Sequence, residues 1–260
     1  MKKVLIVMVC LILAAILVVG VGLLSIYISP KSDPRYVAHQ GYSDKYLGNG
    51  EEAFLAASKM GFYGIETDIR ETKDGVFVCN HDKTVKFSDG DEKTVSDSTL
   101  AELQKPLKNG KTEGEAYLCT FERYLEICRE GNKVAIIELK EICDEGKLTR
   151  LLTIVDTIYD RRKVEIIAFD YGNLERTRAI DPTITLEYLS ETKKDPNFRR
   201  CLEDGIAIDV KQSILTKKLV KEFHEKGLKV NVWTVNKERD LAIVRAKQVD
   251  LVTTNLFTEE

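Results

Sequence analysis

Residues 64–82 read GIETDIRETKDGVFVCNHD. On an extended strand residues i and i+2 share a face, so Glu66 and Asp68 point one way while Thr67 points the other. Asp74-Gly75 reads as a turn, and Val76-Phe77-Val78 behind it as a small extra strand lying beside the first. That strand carries the chain to His81-Asp82. Outward from this stretch, short apolar runs recur at 36–38, 134–139, 164–168, 184–188, 206–208, 229–233 and 250–252. With 64–69 they make eight strand candidates. Helix-like segments lie between them at 51–60, 121–129, 148–159, 173–179, 216–226 and 237–246. Such alternation implies a parallel sheet covered by helices. Eight strands in this length match an α/β fold of the closed (β/α)8 TIM-barrel type. An open doubly wound sheet is the competitor, but no glycine-rich phosphate fingerprint follows the first strand. Residues 88–114 are polar and irregular and read as a surface excursion. Residues 191–199 are too polar to assign.

The N-terminus is of another kind. Residues 4–28 carry no charge and follow Lys2 and Lys3. As a helix this run spans about 37 Å, more than the ~30 Å of a bilayer's hydrocarbon. A cleaved secretion signal has a shorter apolar stretch, usually about 7 to 15 residues. The reading is an N-terminal transmembrane helix with a short linker over 1–31 and a single domain over 32–260. Lys2 and Lys3 favour a cytoplasmic N-terminus, which makes this a single-pass protein of the cell membrane with its domain extracytoplasmic. The cysteines pull the other way: Cys79, Cys119, Cys128, Cys143 and Cys201 are odd in number, lack framework spacing, and suit a reducing compartment. They read as small buried apolar residues rather than nucleophiles. The net charge is −3 and no basic run appears, which argues against a nucleic-acid partner.

In a barrel the chemistry collects at the carboxyl ends of the strands. His39 closes the first strand, Glu66 and Asp68 end the second, and His81 ends the small extra strand. Glu138 and Lys140 end the third, again sharing a face, and Trp233 ends the seventh. Glu66, Asp68 and Glu138 on adjacent strands crowd three negative charges into one cavity, which is costly unless a cation holds them. Their oxygen-only donor set points to Mg2+ or Ca2+ and away from zinc. The bland alternative, solvated acids on an edge strand, has no place in a closed barrel. Beside a metal, His39 and His81 become candidates for general acid and base. Lys140 and the cation would neutralise an anionic oxygen, and so point to a phosphate ester. Taken alone, Trp233 is equally ordinary core packing. His224, on a charged helix, reads as surface.

Val-Ala-His39-Gln-Gly, the 64–82 stretch, Ile-Glu138-Leu-Lys140, Val-Trp233-Thr-Val-Asn and Asp250-Leu-Val-Thr-Thr-Asn255 resemble, in order, the glycerophosphodiester phosphodiesterases. The resemblance covers nearly the whole domain. It implies a (β/α)8 barrel that hydrolyses glycerophosphodiesters to glycerol 3-phosphate and an alcohol through a cyclic phosphate. By position it implies Glu66, Asp68 and Glu138 as holders of a divalent cation and His39 and His81 as the acid–base pair. Lys140 would contact phosphate, and Trp233 would line the substrate pocket. The chain departs from the family at Gln40, where an arginine usually touches the phosphate. Glutamine has neither that charge nor its rigid fork, and loss of such a contact costs roughly 10² to 10³ in rate. Of the usual Pro-Glu-Asn-Thr only Asn49 fits, and Asn255 stands where Asp is common. Two rival readings follow: a non-catalytic or altered-substrate binding protein on the same barrel, and a phospholipase D-like lipid headgroup hydrolase. The expected partners are a glycerophosphodiester or phospholipid-headgroup substrate and the membrane.

Overall fold

A computed structural model describes residues 33–111 and 114–256. The strands in chain order are β1 (Arg35–Ala38), β2 (Gly64–Glu71), β3 (Phe77–Cys79), β4 (Thr84–Lys86), β5 (Glu92–Thr94) and β6 (Val134–Leu139), then β7 (Val164–Ala168), β8 (Thr185–Ser190), β9 (Ala207–Lys211), β10 (Val230–Trp233) and β11 (Leu251–Thr254). The helices are α1 (Glu51–Ser58), α2 (Leu100–Leu103), α3 (Phe121–Glu130), α4 (Glu145–Ile158), α5 (Tyr171–Ile180), α6 (Asn197–Asp204), α7 (Lys217–His224) and α8 (Glu238–Arg245).

β1, β2, β6, β7, β8, β9, β10 and β11 pair in parallel in that order, and β11 returns to β1 through Arg35↔Leu251 and its three successors. The sheet is therefore a closed (β/α)8 barrel, as the spacing predicts. β3 adds to β2 antiparallel, with Ile69 opposite Cys79 and Glu71 opposite Phe77.

Alternation along each strand divides the apolar side chains between two layers. Outward-facing residues meet the helices, where Phe54 of α1 and Tyr124 of α3 pack edge-on at 5.0 Å between ring centroids. Inward-facing Val37, Ile136, Ile167, Leu189 and Leu251 form a smaller core inside the barrel. Five of the described helices are started by a side chain that accepts from the backbone N–H three residues on: Thr99, Thr120, Asp144, Asp170 and Thr216. Each such cap satisfies a donor that the first helical turn cannot. All five cysteines among the described residues are free and buried, as expected.

Three segments differ from the sequence reading. β9 runs on through Asp209 to Lys211, because an acid that faces a barrel interior interrupts an apolar run without ending the strand. α6 occupies part of the unassigned polar segment; it buries only Cys201, so it shows no apolar stripe. The excursion carries β5, which pairs with β4 just before it, and α2, and these cover a separate small core built from Val78, Val85, Phe87, Val95, Leu103 and Leu118. The segment read as a membrane anchor, residues 4–28, lies outside the described residues. Among the described residues no helix is long and apolar enough to cross a membrane.

Candidate active site

The carboxyl ends of β1, β2 and β6 stand side by side, which brings Asp68 into register with Glu138. Glu66, Asp68 and Glu138 each present a carboxylate oxygen within 4.8 Å of the other two, and all three residues are buried. Lys140 Nζ lies 2.7 Å from Glu138 Oε1 and 3.3 Å from Asp68 Oδ1. One ammonium among three carboxylates leaves a negative excess in a low-dielectric place, and the protonation equilibria reflect it. Burial, followed by Asp68 and Glu138, holds Glu66 well above the usual carboxylate range. Burial and Asp68 push Glu138 up to about 7, against Lys140. Burial works on Asp68 in the same direction, but Lys140 and the Asn49 amide outweigh it and leave that carboxyl below its ordinary value. The donor set is all carboxylate oxygen and fits a hard divalent ion.

The loop after β1 is built around these acids. The Gln40 backbone N–H donates to Glu66 Oε2 at 2.9 Å, and its side-chain amide to Asp68 Oδ2 at 2.8 Å. Asn49 donates to the same Asp68 oxygen at 2.8 Å and accepts from the Thr67 hydroxyl and the Asp68 backbone N–H. Gly41 makes the bend possible: its φ is +75°, and a Cβ there would meet the Ala53 carbonyl carbon at 2.6 Å.

The two histidines are held differently. His39 is half-buried beside the acids, and its Nδ1 bonds Asn255 Oδ1 at 2.7 Å. A carbonyl oxygen can only accept, so Nδ1 carries the proton and Nε2 presents a lone pair. Burial lowers the His39 pKa below its ordinary 6.5, with Asn255 opposing. His81 is half-exposed, with Nδ1 2.9 Å from Asp82 Oδ1. Its carbonyl accepts from Arg70 Nη2 at 2.7 Å and Nε at 3.1 Å, and Arg70 in turn pairs with Glu141 at 3.1 Å. A buried arginine on β2 thus anchors the loop that presents the second histidine.

A cavity of about 250 Å³ collects His39, Glu66, His81, Glu138, Lys140 and Trp233, together with Phe169, Leu189 and Asp209. Phe169 meets Trp233 edge-on at 5.9 Å and makes an aromatic corner opposite the charged groups. Gln40 lines an adjoining groove of about 470 Å³, which also reaches His39 and His81 and runs under the β4–β5 hairpin. His39, Gln40, Glu66, His81, Glu138, Lys140 and Trp233 therefore line these two adjoining pockets, and Asp68 is held behind them by Lys140, Gln40 and Asn49. Phe169 and Asp209 also line the cavity, and Arg70 and Asn255 hold the two histidines. Phe169, directly after β7, was open to the strand-end rule; Arg70 and Asp209 carry no sequence signal that separates them from solvated charges. His224 pairs with Asp250 at the opposite end of the barrel, 2.9 Å apart, away from this site.

A family model described as the glycerophosphoryl diester phosphodiesterase family matches residues 39–258. The chain is 26% identical over 226 residues to the glycerophosphodiester phosphodiesterase of Caldanaerobacter subterraneus, a match that covers 84% of this chain and 93% of that protein. Among solved structures it is similar to an Oleispira antarctica phosphodiesterase in complex with the product sn-glycerol-3-phosphate, with a TM-score of 0.76, 20% identity, and 85% and 93% of the two chains covered. It is also similar to a glycerophosphodiester phosphodiesterase from Parabacteroides distasonis, with a TM-score of 0.74, 25% identity, and 87% and 94% covered.

Proposed function

The chain belongs to the glycerophosphoryl diester phosphodiesterase family, a family of phosphoric diester hydrolases, and from that premise we propose that it hydrolyses glycerophosphodiesters to glycerol 3-phosphate and an alcohol. The observation that carries the reading is a cluster of three buried carboxylates, two of which line a single cavity with one lysine and two histidines. Glu66, Asp68 and Glu138 would hold a divalent cation, Mg2+ or Ca2+, which when bound supplies Lewis-acid polarisation of phosphate oxygens. Lys140 binds the phosphate and neutralises charge that builds on it. Trp233 packs on the substrate.

His39, with a free Nε2 lone pair and a lowered pKa, takes the proton of the glycerol hydroxyl beside the phosphate as that oxygen attacks phosphorus. His81, braced by Asp82 and Arg70, gives a proton to the departing alcohol oxygen. The cyclic phosphate is opened by water with the two roles exchanged, as microscopic reversibility requires. Gln40, which bonds Asp68 rather than standing free, tunes the carboxylates and takes the place from which a phosphate-contacting arginine would act. That same bond favours a second reading, a binding protein whose turnover has been lost.

The test is release, by the full chain, of glycerol 3-phosphate from glycerophosphocholine and glycerophosphoglycerol and of phosphatidate from an intact phospholipid, with and without chelator. Chelation is expected to abolish release from the first two, and Mg2+ or Ca2+ to restore it. Hydrolysis indifferent to chelator, or intact after Glu66→Ala, would overturn the mechanism. Cleavage of the intact lipid alone would favour the lipid headgroup hydrolase. Binding without turnover would favour the second reading. Residues 4–28 would anchor the domain outside the cell membrane, which protease accessibility of intact cells would check.

A further inference from the structure

One acid in the cavity has no part in the chemistry above. Asp209 lies on β9 between Ile208 and Val210, which face the helix side, so its carboxyl faces the barrel interior. The residue is 2% exposed, and among the described residues its Oδ1 has no hydrogen-bond partner. Its neighbours in register do not supply one. Leu189, in register on β8, is apolar. Asn231, in register on β10, directs its amide to Glu187 at 3.3 Å, and its oxygen accepts from the Val232 backbone N–H and the Thr253 hydroxyl. An unmatched buried oxygen is rare in folded proteins and marks a place where a missing partner belongs.

The surroundings indicate the partner. Asp209 lines the same cavity as Phe169, Leu189 and Trp233, and its backbone carbonyl accepts from the Trp233 indole at 3.3 Å. Two aromatic faces and a leucine suit a short carbon chain, and one carboxyl among them suits a single hydroxyl on that chain. Lys140 and the carboxylate cluster define the phosphate end of the cavity. The hydroxyl next to the phosphate is committed to attack, which leaves the far hydroxyl of a three-carbon arm for Asp209.

Resting on the hydrolase reading, we propose that Asp209 reads the glycerol hydroxyl farthest from the phosphate and so makes the site selective for polyol phosphodiesters over deoxygenated ones. Burial, then Glu187 and Glu138, holds this carboxyl well above the usual range, so it can both donate and accept. A leucine in its place keeps the same branched skeleton and offers neither.

The experiment compares glycerophosphocholine with its 2-hydroxypropyl analogue, which keeps the attacking hydroxyl and lacks the far one. The proteins are wild type, Asp209→Leu and Asp209→Asn in the full chain with Mg2+. Wild type is expected to favour the glycerol substrate in kcat/KM. Asp209→Leu should lose about 10- to 100-fold on it, with the analogue changed by less than about threefold, and Asp209→Asn should fall between. Equal losses on both substrates, or no discrimination by wild type, would overturn the assignment. Calorimetric binding of glycerol 3-phosphate against 2-hydroxypropyl phosphate gives the same comparison without turnover. A chain that cleaves neither diester therefore refutes the hydrolase reading, while the ratio of the two affinities still decides for or against Asp209.

Discussion

Replacing Glu187 by glutamine is expected to stabilise the barrel, and by an amount that depends on pH. Glu187 sits on β8 with no exposed surface; Asn231 donates to its Oε2 at 3.3 Å, while its Oε1 has no hydrogen-bond partner among the described residues. Burial, followed by the charge of Glu165, raises its pKa from the ordinary 4.5 to about 8. At pH 7 the unfolded chain has therefore released a proton that the native state keeps. Stability falls with rising pH wherever the native state binds more protons. The gap from pH 4.5 to pH 7 is about 2.5 pH units, or roughly 3 kcal/mol at about 1.4 kcal/mol each. Glutamine imitates the protonated acid in shape and avoids this loss, but its buried amide costs about 1–2 kcal/mol. The net gain is about 1–2 kcal/mol at pH 7, larger near pH 8, gone by about pH 5.5 and a net loss below that. For a domain of this size that corresponds to several degrees in Tm, at about 2–4 °C per kcal/mol. Urea denaturation of wild type and Glu187→Gln at pH 5, 7 and 8 measures it. A difference that stays constant over this range, or a wild type that gains on the variant as pH rises, would refute the reasoning.

Glu66→Gln should abolish the rise in Tm that Mg2+ or Ca2+ gives wild type, because one of three charged donors is gone; an undiminished rise seen by scanning calorimetry would argue against a cation at this cluster. His39→Ala should lower kcat about 10² to 10⁴-fold, and in wild type the acidic limb of kcat/KM should lie below pH 6.5, since burial lowers the His39 pKa and a base works only when neutral. A limb above that value would point to another group. Gln40→Arg should raise kcat/KM about tenfold or more, the benefit of a charged phosphate contact less the lost bond to Asp68; steady-state kinetics without any gain would place position 40 outside the phosphate site. Gly41→Ala should destabilise the fold by about 3 kcal/mol or more, because its positive φ and the 2.6 Å approach to Ala53 leave no room for a methyl group; chemical denaturation within 1 kcal/mol of wild type would contradict that geometry.

Local periodicity sufficed for the barrel and for the residues that lie at strand ends. Glu66, Asp68, Glu138 and Lys140 could be placed on one wall before any coordinates, because alternation of two residues is a property of a single strand and adjacency follows from strand order. His39 and His81 were legible for the same reason. The partners of those residues were not. That Gln40 and Asn49 converge on one oxygen of Asp68, that Asn255 sets the tautomer of His39, and that Arg70 grips the His81 carbonyl are contacts across 11 to 216 positions of chain. Such contacts depend on how the loops fold back over the barrel mouth, which no local pattern records. The buried acids Glu165, Glu187 and Asp209 show the same division from the other side. In the sequence each is a charge that breaks an apolar run and reads as solvated. Only closure of the sheet turns them inward, where the interior takes them out of water and raises Glu187 and Asp209 well above the usual carboxylate range. Chain alternation thus determined which face each side chain takes. The closed barrel decided what that face meets, because the dielectric around a group, and so its charge and its chemistry, is set by neighbours distant in sequence.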